Sequence, residues 1–447
     1  MTATESTAQE PDEPSTSRRA LVAGSVGNFL EWYEFSVYGF FATIIAAQFF
    51  TPEGGTEAEA LIKTYASFAL AFFFRPVGAA LFGRLGDRIG RRPTLILVIS
   101  LMTAATTTIG LLPGHAVLGA AAPWLLTLVR VLQGISAGGE FGGAVALMTE
   151  FAPQDKRGRY GAWQSFTVAL GLLAGAGVAA LLVAVVGEEQ LADWAWRLPF
   201  LLALPLGLVA LWLRLRLDET PSFRRLSGEG QPSAVPAQRG AAPHTPGAAA
   251  TAKAIALGAA RLMGWSAAGY TFLVVLPAYL ESQLDASFQQ ALLATVVANL
   301  GFAAAILPAG IVSDRIGRRP VMLTGAAAVV VLALPLLNLL QDPEASTVLQ
   351  SGALFAAGAV VGLMAGPGPA MLAEMFPTGV RYTGLGLAYA LSNAVFSGSA
   401  GLIITEVIEH TGNADIPGYY AAATCAVSAL ALTGMREARH RQALGEL

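Results

Sequence analysis

The chain has 447 residues, 54% of them apolar and only 13% charged, with a mean hydropathy of +0.58. Soluble domains carry about 25% charged residues, so composition excludes a soluble globular protein, and a net charge of −3 leaves nucleic acid no basic surface to bind. One cysteine, Cys425, allows no intramolecular disulfide or cysteine metal cluster. The four histidines, His115, His244, His410 and His440, form no H-E-x-x-H or Ser/His arrangement, so no metal, cofactor or enzymatic chemistry is expected.

Residues 1–19 are polar and acidic up to the Arg18–Arg19 pair and read as a disordered tail. Twelve apolar segments then approach or exceed the length needed to cross about 30 Å of hydrocarbon. Six lie in residues 20–217, roughly at 20–50, 61–83, 94–112, 119–149, 160–186 and 196–215. A Pro, Gly and Ala-rich linker, 218–251, separates them from six more in 252–435, at 253–281, 288–312, 321–340, 347–373, 382–408 and 418–435, and 436–447 form a second tail. The 49 glycines suit close helix packing in lipid. The expected fold is an all-α polytopic membrane protein with twelve transmembrane helices in two six-helix bundles.

With the N-terminus inside, 22 of the 27 Lys and Arg fall in the tails and even-numbered connections, which puts both termini in the cytoplasm. The exceptions are Lys63, Arg75, Arg130, Arg197 and Arg261, and charges at membrane depth face a bundle interior or a water cavity.

The two halves repeat a motif. GRLGDRIGRRP from Gly83 and GIVSDRIGRRP from Gly310 lie 227 residues apart, and EFAPQDKR from Glu150 matches EMFPTGVR from Glu374 at an offset of 224. Two echoes at nearly one offset indicate a duplicated half. In the repeated loop, Gly83, Gly90 and Gly317 allow tight turns. Asp87 and Asp314 can pair with arginines or a helix N-terminus, and Arg88, Arg91, Arg92, Arg315, Arg318, Arg319 and Arg381 supply the cations, so with Glu150 and Glu374 the loops are expected to act as a conformational latch.

The first span, GNFLEWYEFSVYGFF, carries Glu31 and Glu34 on one helical face; the fourth, RVLQGISAGGEFGGA, carries Arg130, Gln133 and Glu140. Glu31, Glu34, Arg130 and Glu140 are the candidate proton-coupling residues. Trp32, Tyr33, Tyr38, Arg75, Arg130, Arg261, Trp265, Tyr270, Tyr389 and Asn393 are the candidate solute contacts. Leu354 stands 224 residues after Arg130, so coupling is expected mainly in the first half.

The signature loop G-x-x-x-D-R-x-G-R-R-P resembles that of the major facilitator superfamily. GNFLEWYEFSVYGFF, FFFRPVGA, RVLQGISAGGEFGGA, WAWRLPFLLALPLGL, RLDETPSF and EMFPTGVRYTG together resemble its metabolite:proton symporter branch, and GEEQLADWAWRLPFLLALPLGLVALWLRLRLDETPSF with TGNADIPGYYAAA is most similar to bacterial proline/glycine betaine transporters. That resemblance implies a pseudo-symmetric fold and proton-driven uptake of a small polar or zwitterionic solute across the bacterial inner membrane, by a monomer whose other partners are protons and lipids. The chain departs from the pattern at Glu34, where the branch more often has Asp, and at Ala390, where relatives often carry Asn. The terminal MREARHRQALGEL is too short for a three-heptad coiled coil. A proton symporter of an organic acid such as a dicarboxylate, oxoglutarate, citrate or shikimate, and an uncoupled facilitator, remain open alternatives.

Overall fold

In the computed structural model, residues 13–50, 56–89, 91–150, 152–216, 247–376 and 381–435 are described. The linker from 217 to 246 and residues 1–12 and 436–447 lie outside them. Twelve span-length helical units follow in order. They are α1 (Glu13–Phe40), α2 (Glu57–Phe73, continued by Arg75–Ile89), α3 (Arg91–Leu111), α4 (Ala121–Glu150), α5 (Arg157–Val186) and α6 (Arg197–Leu215). The second half holds α7 (Ala248–Tyr270, continued to Leu284), α8 (Phe288–Ile316), α9 (Arg318–Gln341), α10 (Thr347–Ala365, continued by Gly368–Met375), α11 (Arg381–Ser392, continued to Thr411) and α12 (Ile416–Thr433). Several boundaries differ from expectation, two of them at the expected tail and linker. α1 already begins at Glu13, inside the stretch read as a disordered tail, and α7 begins at Ala248, taking in the end of the linker. Alanine runs favour helix, which explains the early start of α7.

Among the described residues, ten helices are long and apolar enough to cross a membrane. The two other span-length helices, α1 and α4, carry buried Glu31 and Glu34, and buried Arg130 and Glu140. Both lie inside the bundle: Leu30 to Ala42 of α1 is buried on every face, and so is Ser136 to Val145 of α4. A helix enclosed by protein can hold charges that a lipid-facing helix cannot.

Prolines shape the cavity-side helices. Pro76 offers no N–H to the preceding turn, and α2 breaks at Phe74 just before Arg75. Pro277 has the same defect, and α7 absorbs it in a widened turn, Thr271–Val275; α11 has another at Asn393–Ser397. Gly317 closes α8 at φ +100°, a backbone region that favours glycine, and so turns the chain into α9.

The halves touch at both ends. On the side of the repeated loops, where the latch is expected, α5 crosses α8 where a methyl group on either Gly158 or Gly310 would strike the other helix. On the far side, the Phe41 and Phe288 rings stack at 5.8 Å, and Phe72 of α2 packs against Gly398 of α11.

Candidate transport site

Four buried charged residues of the first half form two units around α1. Glu31 pairs with Arg75 at 3.2 Å, with both side chains at most 2% exposed. The Arg75 guanidinium also lies 4.2 Å from the Phe35 ring and 4.0 Å from Phe72, so aromatic faces meet the charge that the carboxylate leaves unsatisfied. Glu34 and Arg130 are joined indirectly. Thr106 of α3 donates to Glu34 at 2.5 Å, Gln133 Nε2 donates to Thr106 at 2.7 Å, and Arg130 donates to Gln133 Oε1. Arg130 is fully buried and stands over the rings of Tyr38 (4.0 Å), Phe35 (4.9 Å) and Phe68 (4.9 Å). The ring of Phe35 therefore serves both cations.

Between the halves lies a cavity with about 360 Å³ of empty space, counting its open margin. Trp32 of α1 and Val168 and Leu172 of α5 form one wall. Trp265, Ser266, Gly269, Tyr270, Leu273 and Val274 of α7 and Tyr389, Asn393 and Ser397 of α11 form the other. The second wall is made at the two widened turns of α7 and α11. Its polar groups are held by one another: Ser266 pairs with Ser392 at 3.0 Å, Ser397 donates to Asn393 Oδ1 at 3.0 Å, and Asn393 Nδ2 donates to the Tyr389 carbonyl at 3.0 Å. The ring of Tyr389 stacks on Phe141 of α4 at 3.4 Å and 5°, closing the cavity toward the latch. Tyr270 packs on Phe72 at 5.3 Å on the opposite side.

The second copy of the repeated loop bridges the halves. Asp314 accepts from the backbone N–H of Gly158 at 2.7 Å and of Arg159 at 2.9 Å, first-turn amides of α5 that have no partner within the helix. Arg318 joins this carboxylate at 2.7 Å to Glu374 at 3.0 Å, and Ser165 donates to the Ala365 carbonyl at 2.7 Å. In the first copy, Gly83 is buried in α2 and Arg92 donates to the Leu215 carbonyl at 2.5 Å. Gly90 and the side chains of Asp87, Arg88, Arg91, Glu150 and Arg381 lie outside the described residues. Asp314 and Arg318 make the contacts described above; Arg315 is exposed and Arg319 half-buried.

Residues 20–245 match the "Sugar (and other) transporter" family and residues 261–445 match "Major Facilitator Superfamily". The chain is 34% identical over 443 residues to the ectoine/proline transporter ProP of Corynebacterium glutamicum, covering 97% of this chain and 86% of that one. It is 33% identical over 436 residues to the proline/betaine transporter of Escherichia coli K12, covering 96% and 85%. The chain belongs to the major facilitator superfamily. It is a multi-pass membrane protein and a secondary transporter, not an enzyme. The fold agrees: a solved structure of the proton:xylose symporter XylE superimposes with a TM-score of 0.78 over 96% of this chain and 98% of its own, at 18% identity.

Within this superfamily architecture, Trp32, Trp265, Tyr270, Tyr389 and Asn393 come together in the cavity wall, while Arg75 stands behind Trp32, 5.8 Å from its ring. Four of the expected solute contacts sit elsewhere. The Tyr33 hydroxyl donates to the Pro199 carbonyl of α6 at 2.8 Å. Tyr38 is paired with Ser67 at 2.6 Å under Arg130, and Arg261 donates to Ala431 and Met375 between α7, α12 and α10. Arg130 itself is walled off by Tyr38, Phe35 and Phe68. Glu140 does not meet Arg130. It pairs with Arg214, at the end of the sixth expected span and given no role from the sequence, in a space that Gly27 leaves open. Thr106 and Phe35 were also missed, because a threonine in the run TAATTTIG and a phenylalanine in an aromatic helix carry no sequence mark of their role.

Proposed function

We propose that the chain is a proton-coupled symporter that imports a small zwitterionic compatible solute, such as proline or glycine betaine, across the bacterial inner membrane by alternating access. The observation that carries this reading is the cavity wall, which combines Trp32, Trp265, Tyr270 and Tyr389 with no charged side chain, directly beside the Glu31–Arg75 pair. Aromatic faces are electron-rich and receive a quaternary or secondary ammonium group. They repel a second carboxylate for the same reason, which disfavours a dicarboxylate.

The lysine and arginine asymmetry supports a cytoplasmic latch and cytoplasmic termini. On this orientation, solute and proton enter from the far side. Protonation of Glu31 releases Arg75 from its counter-charge and the solute carboxylate takes its place, while the solute's cationic nitrogen meets the aromatic faces, so the loaded site carries the one positive charge of the proton. Glu34, held through Thr106 and Gln133 to Arg130, is the second proton acceptor, and its protonation breaks the link between α1, α3 and α4. The latch of Asp314, Arg318 and Glu374 with the start of α5 then opens and the halves rock about the cavity. Glu140 with Arg214 is kept in this account as the partner pair that ties α4 to α6 near the latch.

A binding panel with purified protein tests the solute. Proline, glycine betaine and ectoine are expected to compete for one site, while succinate, citrate, oxoglutarate and shikimate leave it unoccupied. Binding of the organic acids in place of the zwitterions contradicts the assignment.

A further inference from the structure

Four carboxyl groups of the described residues have a buried oxygen without a hydrogen-bond donor. Three, Glu31, Glu34 and Glu140, belong to the clusters above, and the fourth is Glu281 near the far-side end of α7. It lies where the two halves meet. Thr43, just beyond α1, donates to Glu281 Oε2 at 3.4 Å across the interface, while Oε1 is buried and bare. The stacked Phe41 and Phe288 rings belong to the same contact.

Among the described residues, the groups facing this carboxyl offer it no cation. From α2 comes Tyr65, whose buried hydroxyl also lacks a partner and whose ring is pressed against Gly401 of α11. From the segment between α5 and α6 comes the carboxylate of Glu188, which reaches across to the backbone N–H of Gln289 at 3.4 Å. Thr43 adds a neutral hydroxyl. Closing the far side therefore strips water from one oxygen of Glu281 without supplying a donor, next to a second acidic group. A carboxylate in that position is expensive, and a bound proton removes the expense.

We propose that Glu281 is a proton-binding site of the outer gate: it holds a proton when the far side is closed and yields it to external water when the far side opens. Gate closure is thereby linked to external pH, and because binding and linkage are reciprocal, acid outside favours the closed contact. The proton on Glu281 comes from and returns to the same side, so it sets the gate without being carried. The proposal rests on the orientation in the proposed function, in which the far side is external.

The test uses the full chain with Cys425→Ala, Phe41→Cys and Phe288→Cys, reconstituted without solute, and reads bismaleimide cross-linking across the gate. As external pH falls from about 8 to about 5, through the range to which burial can bring a carboxyl group, cross-linking is expected to rise several-fold, and internal pH is expected to have no effect. Glu281→Gln is expected to give high cross-linking at every pH, and Glu281→Asp to keep the pH dependence. An unchanged pH profile in Glu281→Gln overturns the proposal. So does a flat profile in Glu281→Asp, which identifies a role of shape alone, and that variant decides the matter if the glutamine protein does not fold. Failure of the proton symport reading shows separately, as uptake indifferent to the proton gradient with the cross-linking response intact.

Discussion

The Glu31–Arg75 pair makes an asymmetric prediction. At 3.2 Å, with both partners out of water, the Coulomb attraction is about 5 kcal/mol at an effective dielectric of about 20. Arg75→Met leaves the buried Glu31 carboxylate without its counter-charge and also removes the contacts with Phe35 and Phe72. Breaking a buried pair from one side costs about 3–5 kcal/mol, and this variant is expected at the upper end. Glu31→Gln is milder, about 1–3 kcal/mol, because the amide dipole still faces Arg75 and the two rings still meet its charge. The double variant Glu31→Leu with Arg75→Met removes both charges and is expected to recover most of the loss, since a buried pair replaced by apolar side chains is often neutral. Unfolding by SDS in mixed micelles measures all three, and solute uptake is expected to be lost in each. Single-variant costs that simply add in the double variant would refute the coupling.

Other outcomes follow from the same geometry. Asp314→Ala frees the amides of Gly158 and Arg159 and one arm of Arg318, so cross-linking of a Ser165→Cys and Ala365→Cys pair across the latch is expected to fall several-fold. Trp265→Ala removes one aromatic face of the cavity and, at about 0.5–2 kcal/mol per cation–π contact, is expected to weaken betaine binding by about 2- to 30-fold, read by calorimetry. Glu34→Gln and Arg130→Ala are each expected to abolish gradient-driven uptake while the protein still elutes as a folded species from gel filtration, because they cut the relay through Thr106 and Gln133.

Much of this architecture is legible in the sequence because it is written in local patterns. Runs of apolar residues give the twelve spans, the paired DRIGRRP loops give the duplication, and isolated charges in apolar context give Glu31, Glu34, Arg75 and Arg130. Partners are harder, since they come from elsewhere in the chain. Thr106 is 72 residues from Glu34, and Arg214 is 74 from Glu140, so neither shares a helical face that periodicity could reveal. Tyr33 and Tyr38 show the same limit within one helix. Both sit in an aromatic run, yet one turns to Pro199 and the other to Ser67, and only Trp32 of the three faces the cavity. Glu281 gave no signal because a carboxylate at the end of a span reads as an ordinary surface charge; only the contact with Thr43 makes it unusual.

The account stands or falls on proton coupling, and accumulation in proteoliposomes measures it directly. With an acid-outside pH gradient, labelled proline or glycine betaine is expected to accumulate above its external concentration, and an uncoupler is expected to return it to equilibrium. Accumulation that survives the uncoupler, or uptake that merely equilibrates with the gradient intact, contradicts a proton symporter.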